Sequence, residues 1–562
     1  MYDVIIRNGL VVDGDGAAGF HADVAIRDGR IAEVGEISSD ARQVIDATGR
    51  VVAPGFIDPH THFDAQLLWD GQARPALEHG VTCVIPGNCS LSLAPLRAAD
   101  RPAVVGMFQQ IEEMPAEAFT ERFAKWTWED FGGYCRTIGE GLGINVAPLV
   151  GHSLIRLWVM GAASQERPAT PDEVKAMQVL LRRCLDEGAI GLSTSFVDVD
   201  ATGRPVPSRF ADCAELDALC AVLGEAQDGR MLQVVPEFYA SDLTIARIDQ
   251  LAELSLKHAI PTTFSPVFDS NVAPESAPRI LARVEEQFAR GARVWPQMQT
   301  RPIDITFSLL NPSLYLVRVP SWFSTLRQPL EKRLAALADP EIVRRLIADA
   351  GSDGGDAIFG GLVIRGGDRA PADYVGRTLR DVAGERGEGV AQALFSISMA
   401  NGLDVAFLAA NGGHDDTSRI GPMLAHPLVH VGASDGGAHL ASFATYGDTG
   451  YLFSEFVRAS GHFTLEEAVK KITADTADIW GIKDRGRLKP GLAADVVVFD
   501  PKRIARDAEK PAHDVPGGGL RYVRASIGIE AVLVNGAVAY ADGAYTEART
   551  GEICGSSMAR VA

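Results

Sequence analysis

Eight apolar segments separated by stretches of helical periodicity are the feature that most constrains the fold of this 562-residue chain. The helical stretches include residues 171–185, which follow Thr170, a residue type that caps helix N-termini. Strands that alternate with helices pair in parallel, and eight such units close into a (β/α)8 barrel. The sequence therefore predicts an α/β fold built on a distorted TIM barrel. The predicted strands lie near residues 51–57, 81–86, 144–150, 189–193, 231–235, 261–264, 292–296 and 429–434.

Short alternating apolar runs occur at both ends of the chain and lie outside this pattern. Asp28-Gly29 and Asn535-Gly536 each separate two such runs, and these dipeptides are typical of two-residue hairpin turns. Chain termini often lie close together, so we expect the two ends to form one small β-sandwich.

The connection before the last predicted strand is much longer than an ordinary loop. It has helical patterns of its own, over residues 330–348 and 389–400, which predict a folded insertion or lid over the barrel mouth. The predicted domains are residues 1–50 with 485–562 for the small β-sandwich, 51–484 for the barrel and 298–427 for the insertion within the barrel domain.

The charge and composition of the chain restrict its partners. A net charge of −20 argues against nucleic acids and anionic membranes, which need clustered Lys and Arg. Neither a signal peptide nor an apolar run of the roughly 20 residues that a membrane span needs is visible. The seven cysteines have no paired spacing, which fits a reducing compartment. We expect a cytoplasmic protein that acts on a small molecule, and the sequence is compatible with a homo-oligomer.

Two histidines, His60 and His62, follow the first predicted strand. Alternate residues of an extended chain share a face, so both imidazoles can point at one spot. Converging neutral imidazoles suit a divalent transition metal, zinc above all. The alternative is a pair of solvent-facing histidines beside a turn. The apolar run before the pair and the flanking Asp58 and Asp64 favour the metal site.

Catalytic residues of such barrels lie at the carboxyl ends of the strands, and this rule gives further candidates. Cys89 follows the second strand after a Pro-Gly-Asn turn, where its thiolate could bind metal; a buried apolar cysteine is the alternative. His152 follows the third strand. Asp435 follows the eighth strand and precedes two glycines, so either a catalytic role or turn chemistry explains it.

At these positions the sequence resembles the D-aminoacylase branch of the amidohydrolase superfamily, the N-acyl-D-amino-acid deacylases. In that branch metal is held by two first-strand histidines, a cysteine after the second strand, histidines after the fifth and sixth strands, and an aspartate after the eighth. His60, His62, Cys89 and Asp435 match this pattern. The resemblance spans nearly the whole chain and is carried best by residues 55–62, 87–89, 151–152, 188–193, 434–436 and 483–495.

Two ligand positions of the family are changed in this chain. Gln233 stands where the fifth-strand histidine is expected, and Pro266 stands in the sixth-strand position. Phe268 replaces a lysine that helps hold the substrate carboxylate in the family. The remaining ligands imply one zinc ion, with weak or absent metal binding as the alternative.

The resemblance implies a metal-dependent hydrolase of carbon–nitrogen bonds other than peptide bonds, which deacylates an N-acyl-D-amino acid or a related N-acyl compound. Asp435 is expected to be both a metal ligand and the catalytic residue that accepts the proton of the attacking water. The alternatives are hydrolysis of another amide or a cyclic imide, which Phe268 favours, and a metal-poor, non-enzymatic scaffold. The residues expected to contact the substrate are His152, Gln233, Glu237, Arg419 and His439.

Overall fold

The computed structural model describes residues 1–120, 126–226, 229–271, 273–313, 315–316, 319–326, 328, 330–352, 355–365, 370–410, 413–432 and 434–554. Ala433, in the predicted eighth strand, and residues 555–562, in the predicted small domain, lie outside the described residues, as do short parts of the other predicted domains.

The strands and helices follow one another along the whole described chain. The strands are β1 Tyr2–Val11, β2 Phe20–Arg27, β3 Arg30–Gly35, β4 Ala41–Asp46, β5 Val51–Pro54, β6 Phe56–Asp58, β7 Val81–Val84, β8 Asn145–Val146, β9 Val150–Gly151, β10 Gly191–Ser195, β11 Met231–Val235, β12 Thr262–Phe264, β13 Val294–Met298, β14 Ile305–Phe307, β15 Val363–Ile364, β16 Phe407–Ala409, β17 His430–Val431, β18 Val496–Phe499, β19 Ala505–Arg506, β20 Lys510–Val515, β21 Gly519–Val523, β22 Ser526–Ile527, β23 Ile529–Val534, β24 Ala537–Ala541 and β25 Ala544–Tyr545. The helices are α1 Arg101–Ile111, α2 Phe131–Gly139, α3 His152–Met160, α4 Pro171–Asp186, α5 Cys213–Leu223, α6 Ser241–His258, α7 Ser276–Ala289, α8 Pro320–Leu326, α9 Leu330–Ala338, α10 Pro340–Ser352, α11 Gly355–Phe359, α12 Leu379–Arg386, α13 Val390–Ala400, α14 Thr417–Ala425, α15 Asp448–Tyr451, α16 Leu465–Lys471 and α17 Ala474–Trp480. A π-helical segment, Leu452–Ala459, continues α15.

Strands from both ends of the chain share one sheet. Within the described residues its order is β25-β24-β23-β18-β5-β1-β2-β3, with β4 paired to β1. The two predicted hairpin turns are present: Asp28 and Gly29 have φ of 50° and 72°, and Asn535 and Gly536 have φ of 45° and 83°. Positive φ at both central positions is what a two-residue type I′ turn requires. The antiparallel pairing of β5 with β18 connects the N-terminal strands to the C-terminal ones.

The single strand predicted over residues 51–57 is wrong, because this segment forms two strands, β5 and β6. β5 belongs to the sheet of the chain ends, whereas β6 pairs in parallel with β7. Gly55 lies between them, and a Cβ on Gly55 would come within 2.1 Å of Thr82 Oγ1. The chain therefore passes from one sheet to the other at a point where another strand approaches too closely for a side chain.

Nine short strands in the described middle of the chain pair in parallel at the eight predicted positions, because the strand predicted over residues 144–150 is divided into β8 and β9. They form two groups in the order β6-β7-β8 and β9-β10-β11-β12-β13-β17. A parallel bridge between Thr61 and Gly436 joins the segment that follows β6 to the segment that follows β17. The polypeptide after each strand therefore emerges at a common edge, where chemistry is expected in folds of this class.

The long segment before β17 has a hydrophobic core of its own. β14, β15 and β16 form an antiparallel sheet, and helices α8–α13 pack beside it. The Trp322 ring stacks on Phe359 with a centroid separation of 4.5 Å. The single helical pattern predicted over residues 330–348 is two helices, α9 and α10, because Pro340 cannot continue the first and begins the second.

None of the helices in the described ranges combines the length and the apolar composition that crossing a bilayer requires.

Candidate active site

Two imidazoles and a thiol converge just after β6. His60 and His62 are 4% and 1% exposed. The Cys89 Sγ atom lies 3.4 Å from His60 Nε2 and 3.6 Å from His62 Nε2. One ligand atom from each of these three residues lies within 4.8 Å of the other two. Residues from the first two strand ends, 27 and more positions apart, thus meet around one point.

Asp435 reaches the same two imidazoles from the segment after β17. Its Oδ1 atom lies 3.5 Å from His60 Nε2 and 3.2 Å from His62 Nε2. The main chains of the two segments are also joined, because Asp435 N–H donates to the His60 carbonyl at 3.1 Å and His62 N–H donates to the Gly436 carbonyl at 2.7 Å. These bonds fix the carboxylate relative to the histidines.

Asp435 and Cys89 both have a strained backbone. Their φ values are 66° and 55°, in the left-handed region that favours glycine. Such conformations cost about 1–3 kcal/mol and concentrate at functional sites. Burial alone would raise the pKa of Asp435, but the hydrogen bond and charge of His62, with the charges of His439 and His60, hold it well below its usual range. This carboxyl group is therefore ionised at neutral pH.

The His60 ring nitrogen that faces away from Cys89 and Asp435, Nδ1, has two polar partners. Its Nδ1 lies 3.1 Å from Gln297 Oε1 and 2.9 Å from Ser265 Oγ. Gln297 Nε2 donates to Thr263 Oγ1 at 3.1 Å, so the amide oxygen faces the imidazole and Nδ1 is the protonated nitrogen. Burial lowers the pKa of His60 to about 4. The ring is therefore neutral, and its Nε2 presents a lone pair towards Cys89 and Asp435.

The His62 ring nitrogen that faces away from Cys89 and Asp435, Nδ1, lies beside the buried carboxyl group of Glu112. Its Nδ1 lies 3.1 Å from Glu112 Oε1, without the alignment of a hydrogen bond, and Glu112 is 1% exposed. Burial raises the pKa of Glu112 to about 8, although the charge of His62 opposes the shift. Burial acts to lower the pKa of His62, but Glu112 and Cys89 raise it well above its usual value. A carboxylate behind a ligating histidine is a common arrangement in metal sites, where it orients the ring.

Gln233 and Pro266, at the two changed positions, do not contribute side-chain ligands. Gln233 is fully buried; its Oε1 accepts from the Cys89 N–H at 3.1 Å and its Nε2 donates to Ser265 Oγ at 3.3 Å. The amide therefore holds the backbone of Cys89 and the hydroxyl that contacts His60. Gln233, predicted to contact substrate, is bonded within the protein at both ends of its amide and is not among the described residues that line the cavity.

The converging groups open onto a cavity of about 440 Å³. His439, predicted to contact substrate, is in its wall, with Nε2 3.5 Å from Asp435 Oδ2. Phe268 is also in the wall and meets Phe238 edge to face at a centroid distance of 6.4 Å. A chamber of this size and mixed lining is typical of a small-molecule site.

Three other predicted substrate contacts lie away from this cavity. His152 is 1% exposed and bound on both sides, to Thr194 Oγ1 at 3.0 Å and to Glu215 Oε1 at 2.8 Å. Glu237 forms an ion pair of 2.7 Å with Arg247. Arg419 forms an ion pair of 2.7 Å with Asp269. These side chains are held by their neighbours and do not line the cavity, although His152 and Glu237 follow strands; Arg419 lies in α14.

Several residues of the site were not predicted from the sequence. Ser265 follows β12 and Gln297 is the penultimate residue of β13, so the strand-end rule could have found both. Glu112 directly follows α1 and Asp198 follows β10 at a distance, and no local pattern marks either. Their contribution depends on how the connections fold over the strand ends.

Comparison with known proteins agrees with this geometry. The amidohydrolase family model matches residues 43–257 and 325–540. The D-aminoacylase of Alcaligenes xylosoxydans xylosoxydans is 29% identical, over 100% of this chain and 98% of the relative.

Two solved structures are similar over nearly their whole length. A crystal structure of D-aminoacylase has a TM-score of 0.68 and 26% identity, covering 99% of this chain and 100% of that one. N-acyl-D-glutamate deacylase from Bordetella bronchiseptica, complexed with zinc and a phosphonate inhibitor, has a TM-score of 0.67 and 26% identity, covering 98% and 99%. The family model spans well over half of the chain, and the chain therefore belongs to the amidohydrolase family, in its D-aminoacylase branch, as a hydrolase of carbon–nitrogen bonds other than peptide bonds.

Proposed function

We propose that this protein uses one bound metal ion to hydrolyse the amide bond of an N-acyl compound, an N-acyl-D-amino acid or a close relative of one. The observation that carries the proposal is the approach of Asp435 Oδ1 to His60 Nε2 and His62 Nε2, at 3.5 and 3.2 Å, at the wall of the cavity. The similar proteins include a D-aminoacylase and an N-acyl-D-glutamate deacylase, which supports an N-acyl bond as the one that is cleaved.

The donor set fits one zinc ion. Zinc takes imidazole, thiolate and carboxylate ligands, and a tetrahedral ion with bonds of about 2.0–2.3 Å keeps its ligand atoms about 3.3–3.8 Å apart. Cys89 Sγ and Asp435 Oδ1 lie 3.2–3.6 Å from the two Nε2 atoms, which is close to that separation. Gln233 and Pro266 replace the further ligands of the family, so a second ion has no comparable set. His60, His62, Cys89 and Asp435 would hold the ion.

Asp435 accepts and donates the proton that is transferred in the proposed reaction. A bound zinc ion would polarise the substrate carbonyl and lower the pKa of water at the site. The ionised Asp435 carboxylate accepts a proton from the water that attacks the carbonyl carbon, and it then delivers this proton to the leaving nitrogen as the C–N bond breaks. His439, 3.5 Å from Asp435 Oδ2, orients the carboxylate. The products are a carboxylic acid and an amine.

We also infer that the parallel strands close into a barrel, with the sheet of the chain ends as a separate small domain and residues 298–427 as an insertion. The bridge between Thr61 and Gly436 supports closure between the first and last strands. A hydrogen bond of 2.9 Å from Leu149 N–H to the Pro86 carbonyl supports a connection between the two groups of strands.

One observation favours a second candidate, hydrolysis of another amide or a cyclic imide. Phe268 lies in the cavity wall, at the position where the family resemblance implies a lysine that helps hold the substrate carboxylate. A phenyl ring has neither the charge nor the hydrogen-bond donors of a lysine, so Phe268 favours a substrate without a carboxylate at this position.

The experiment that tests the proposal combines metal analysis with a substrate panel. The zinc-loaded protein is expected to hold about one zinc per chain and to release amine from N-acyl compounds. Asp435→Ala is expected to lower kcat by about 10²–10⁴-fold without changing the melting temperature. Asp172→Ala is the matched control, since that side chain is 93% exposed on α4, and it should keep the wild-type kcat. If the purified protein holds almost no zinc and added zinc does not restore binding, the proposal is refuted. That result would favour the metal-poor, non-enzymatic scaffold.

A further inference from the structure

Two neighbouring segments of the chain form part of the cavity wall. Pro266 and Phe268 follow β12, and Gln299, Arg301 and Ile303 follow β13. The described residues between β12 and α7 form neither helix nor strand, so regular secondary structure does not fix the direction of Phe268. The position of its ring therefore depends on contacts with other parts of the chain.

His414, which precedes α14, is bonded to both of these segments. The residue is fully buried. Its ring Nδ1 accepts from the Asp269 N–H at 3.0 Å, and its own main-chain N–H donates to the Asp269 carbonyl at 3.0 Å. The other ring nitrogen, Nε2, donates to the Gln299 carbonyl at 2.7 Å. One side chain therefore joins the residue next to Phe268 to the connection after β13.

These bonds fix the conformation of His414. Because Nδ1 accepts from Asp269 and Nε2 donates to Gln299, the ring is the neutral tautomer with its proton on Nε2. Burial lowers the pKa of His414, which keeps the ring neutral at neutral pH. Its φ of 56° lies in the left-handed region, which a residue other than glycine keeps only where the surrounding contacts impose it. Gly413 adds a further bond, because its carbonyl accepts from the Ile303 N–H at 3.0 Å.

Asp269 is also held through its side chain. The carboxylate is 1% exposed and pairs with Arg419 Nη2 at 2.7 Å. The ring of Phe268, the preceding residue, meets the His414 ring edge to face at a centroid distance of 6.0 Å. The segment from His414 to Arg419 thus holds the main chain and the side chain of Asp269, and its histidine also contacts the Phe268 ring.

We propose that His414 is a positioning residue for the substrate. By holding Asp269 it fixes Phe268 in the cavity wall, where the phenyl ring packs against an apolar part of the bound N-acyl compound. The metal-binding residues are held separately, since the Asp435 N–H donates to the His60 carbonyl at 3.1 Å. The long segment before β17 therefore sets the affinity of the cavity without contributing to the chemistry. This inference rests on the proposed function, because it concerns substrate binding at the same site.

The kinetic test uses His414→Ala and N-acetyl-D-phenylalanine with the zinc-loaded protein. Loss of both ring bonds is expected to raise KM about tenfold while kcat changes less than about twofold, because substrate binding is weakened and the metal-binding residues stay in place. In a Phe268→Ala background the same substitution is expected to change KM less than about twofold, since the ring that it positions is absent. Equal rises in KM in the two backgrounds, or a fall in kcat at unchanged KM, would overturn the inference.

Three further variants separate positioning from a general loss of structure. His414→Asn is expected to recover most of the lost affinity, because its amide oxygen can accept from the Asp269 N–H and asparagine tolerates positive φ. Arg419→Gln keeps His414 and removes the ion pair of Asp269; it should also raise KM, and it serves if His414→Ala does not fold. His426→Ala is the matched control and should leave KM unchanged, since that histidine pairs with Glu285 and lies outside the cavity. A wild-type KM in Arg419→Gln, or no recovery in His414→Asn, would contradict the assignment.

Hydrogen exchange of the protein without substrate separates this inference from the proposed function. The Asp269 N–H loses its acceptor in His414→Ala, so peptides over residues 265–271 are expected to exchange faster than in the wild type. Faster exchange there, with no hydrolysis of any N-acyl compound, would remove the proposed function and keep the positioning of Phe268 by His414. Hydrolysis by the wild type, with unchanged exchange and unchanged KM in His414→Ala, would keep the proposed function and overturn the inference.

Discussion

Replacing Glu112 by glutamine tests whether the buried carboxylate beside His62 strengthens metal binding by His60 and His62. Glu112 is 1% exposed and its Oε1 lies 3.1 Å from His62 Nδ1. Glutamine keeps the shape of the side chain but removes its negative charge. We expect Glu112→Gln to weaken zinc binding, because the imidazole loses the group that orients it and strengthens its basicity.

The size of the effect follows from the burial and the distance of this pair. A zinc-bound imidazole is neutral, so in the metal-bound protein Glu112 acts as the carboxylate partner of His62 Nδ1–H at 3.1 Å and not as half of an ion pair. Loss of a carboxylate behind a ligating histidine typically lowers metal affinity 10–100-fold. The expected loss in binding free energy is therefore about 1.4–2.7 kcal/mol.

The assay is competition for zinc against a chelator of known affinity. The wild type and the Glu112→Gln variant are compared at one pH, with Glu140→Gln as the exposed control and the melting temperature of each metal-free protein as the test of folding. A zinc Kd for Glu112→Gln within twofold of the wild-type value, in a folded protein, would refute the reasoning.

Three further predictions concern stability. Gly55→Ala is expected to cost about 1–3 kcal/mol in chemical denaturation, because the new Cβ would lie 2.1 Å from Thr82 Oγ1; full rescue by Thr82→Gly would support the cause and no loss would exclude it. Trp322→Ala is expected to cost the core of the inserted segment about 3–5 kcal/mol and to speed hydrogen exchange in α8–α13 before the rest of the chain; uniform acceleration would contradict a separate core. Burial lowers the pKa of His430 to about 3, whereas an unfolded histidine has a pKa of about 6.5, so the unfolded state binds one more proton between these values. Stability is then expected to fall by about 1.4 kcal/mol per pH unit below about 6.5, and His430→Gln should remove that part of the slope; an unchanged slope in denaturation between pH 7 and 5 would refute it.

The sequence by itself determined the strand positions and four residues of the candidate site. Local apolar runs indicate the strands. Residues that follow parallel strands lie at the same edge of the sheet, and the length and structure of the connections between the strands do not change this. This is why His60, His62, Cys89 and Asp435 could be named in advance. The two hairpins of the chain ends could be predicted from Asp28-Gly29 and Asn535-Gly536, because a two-residue turn needs residues that tolerate positive φ.

The tertiary structure decided which other strand-end residues face the cavity. His152 follows β9 but is bonded to Thr194 and Glu215, and Gln233 is held between Cys89 and Ser265. Glu112 reaches His62 from a connection 50 positions away, and nothing in its neighbourhood along the chain indicates this. The direction of a side chain depends on the packing and hydrogen-bond partners that other segments supply. That information exists only once the segments have come together.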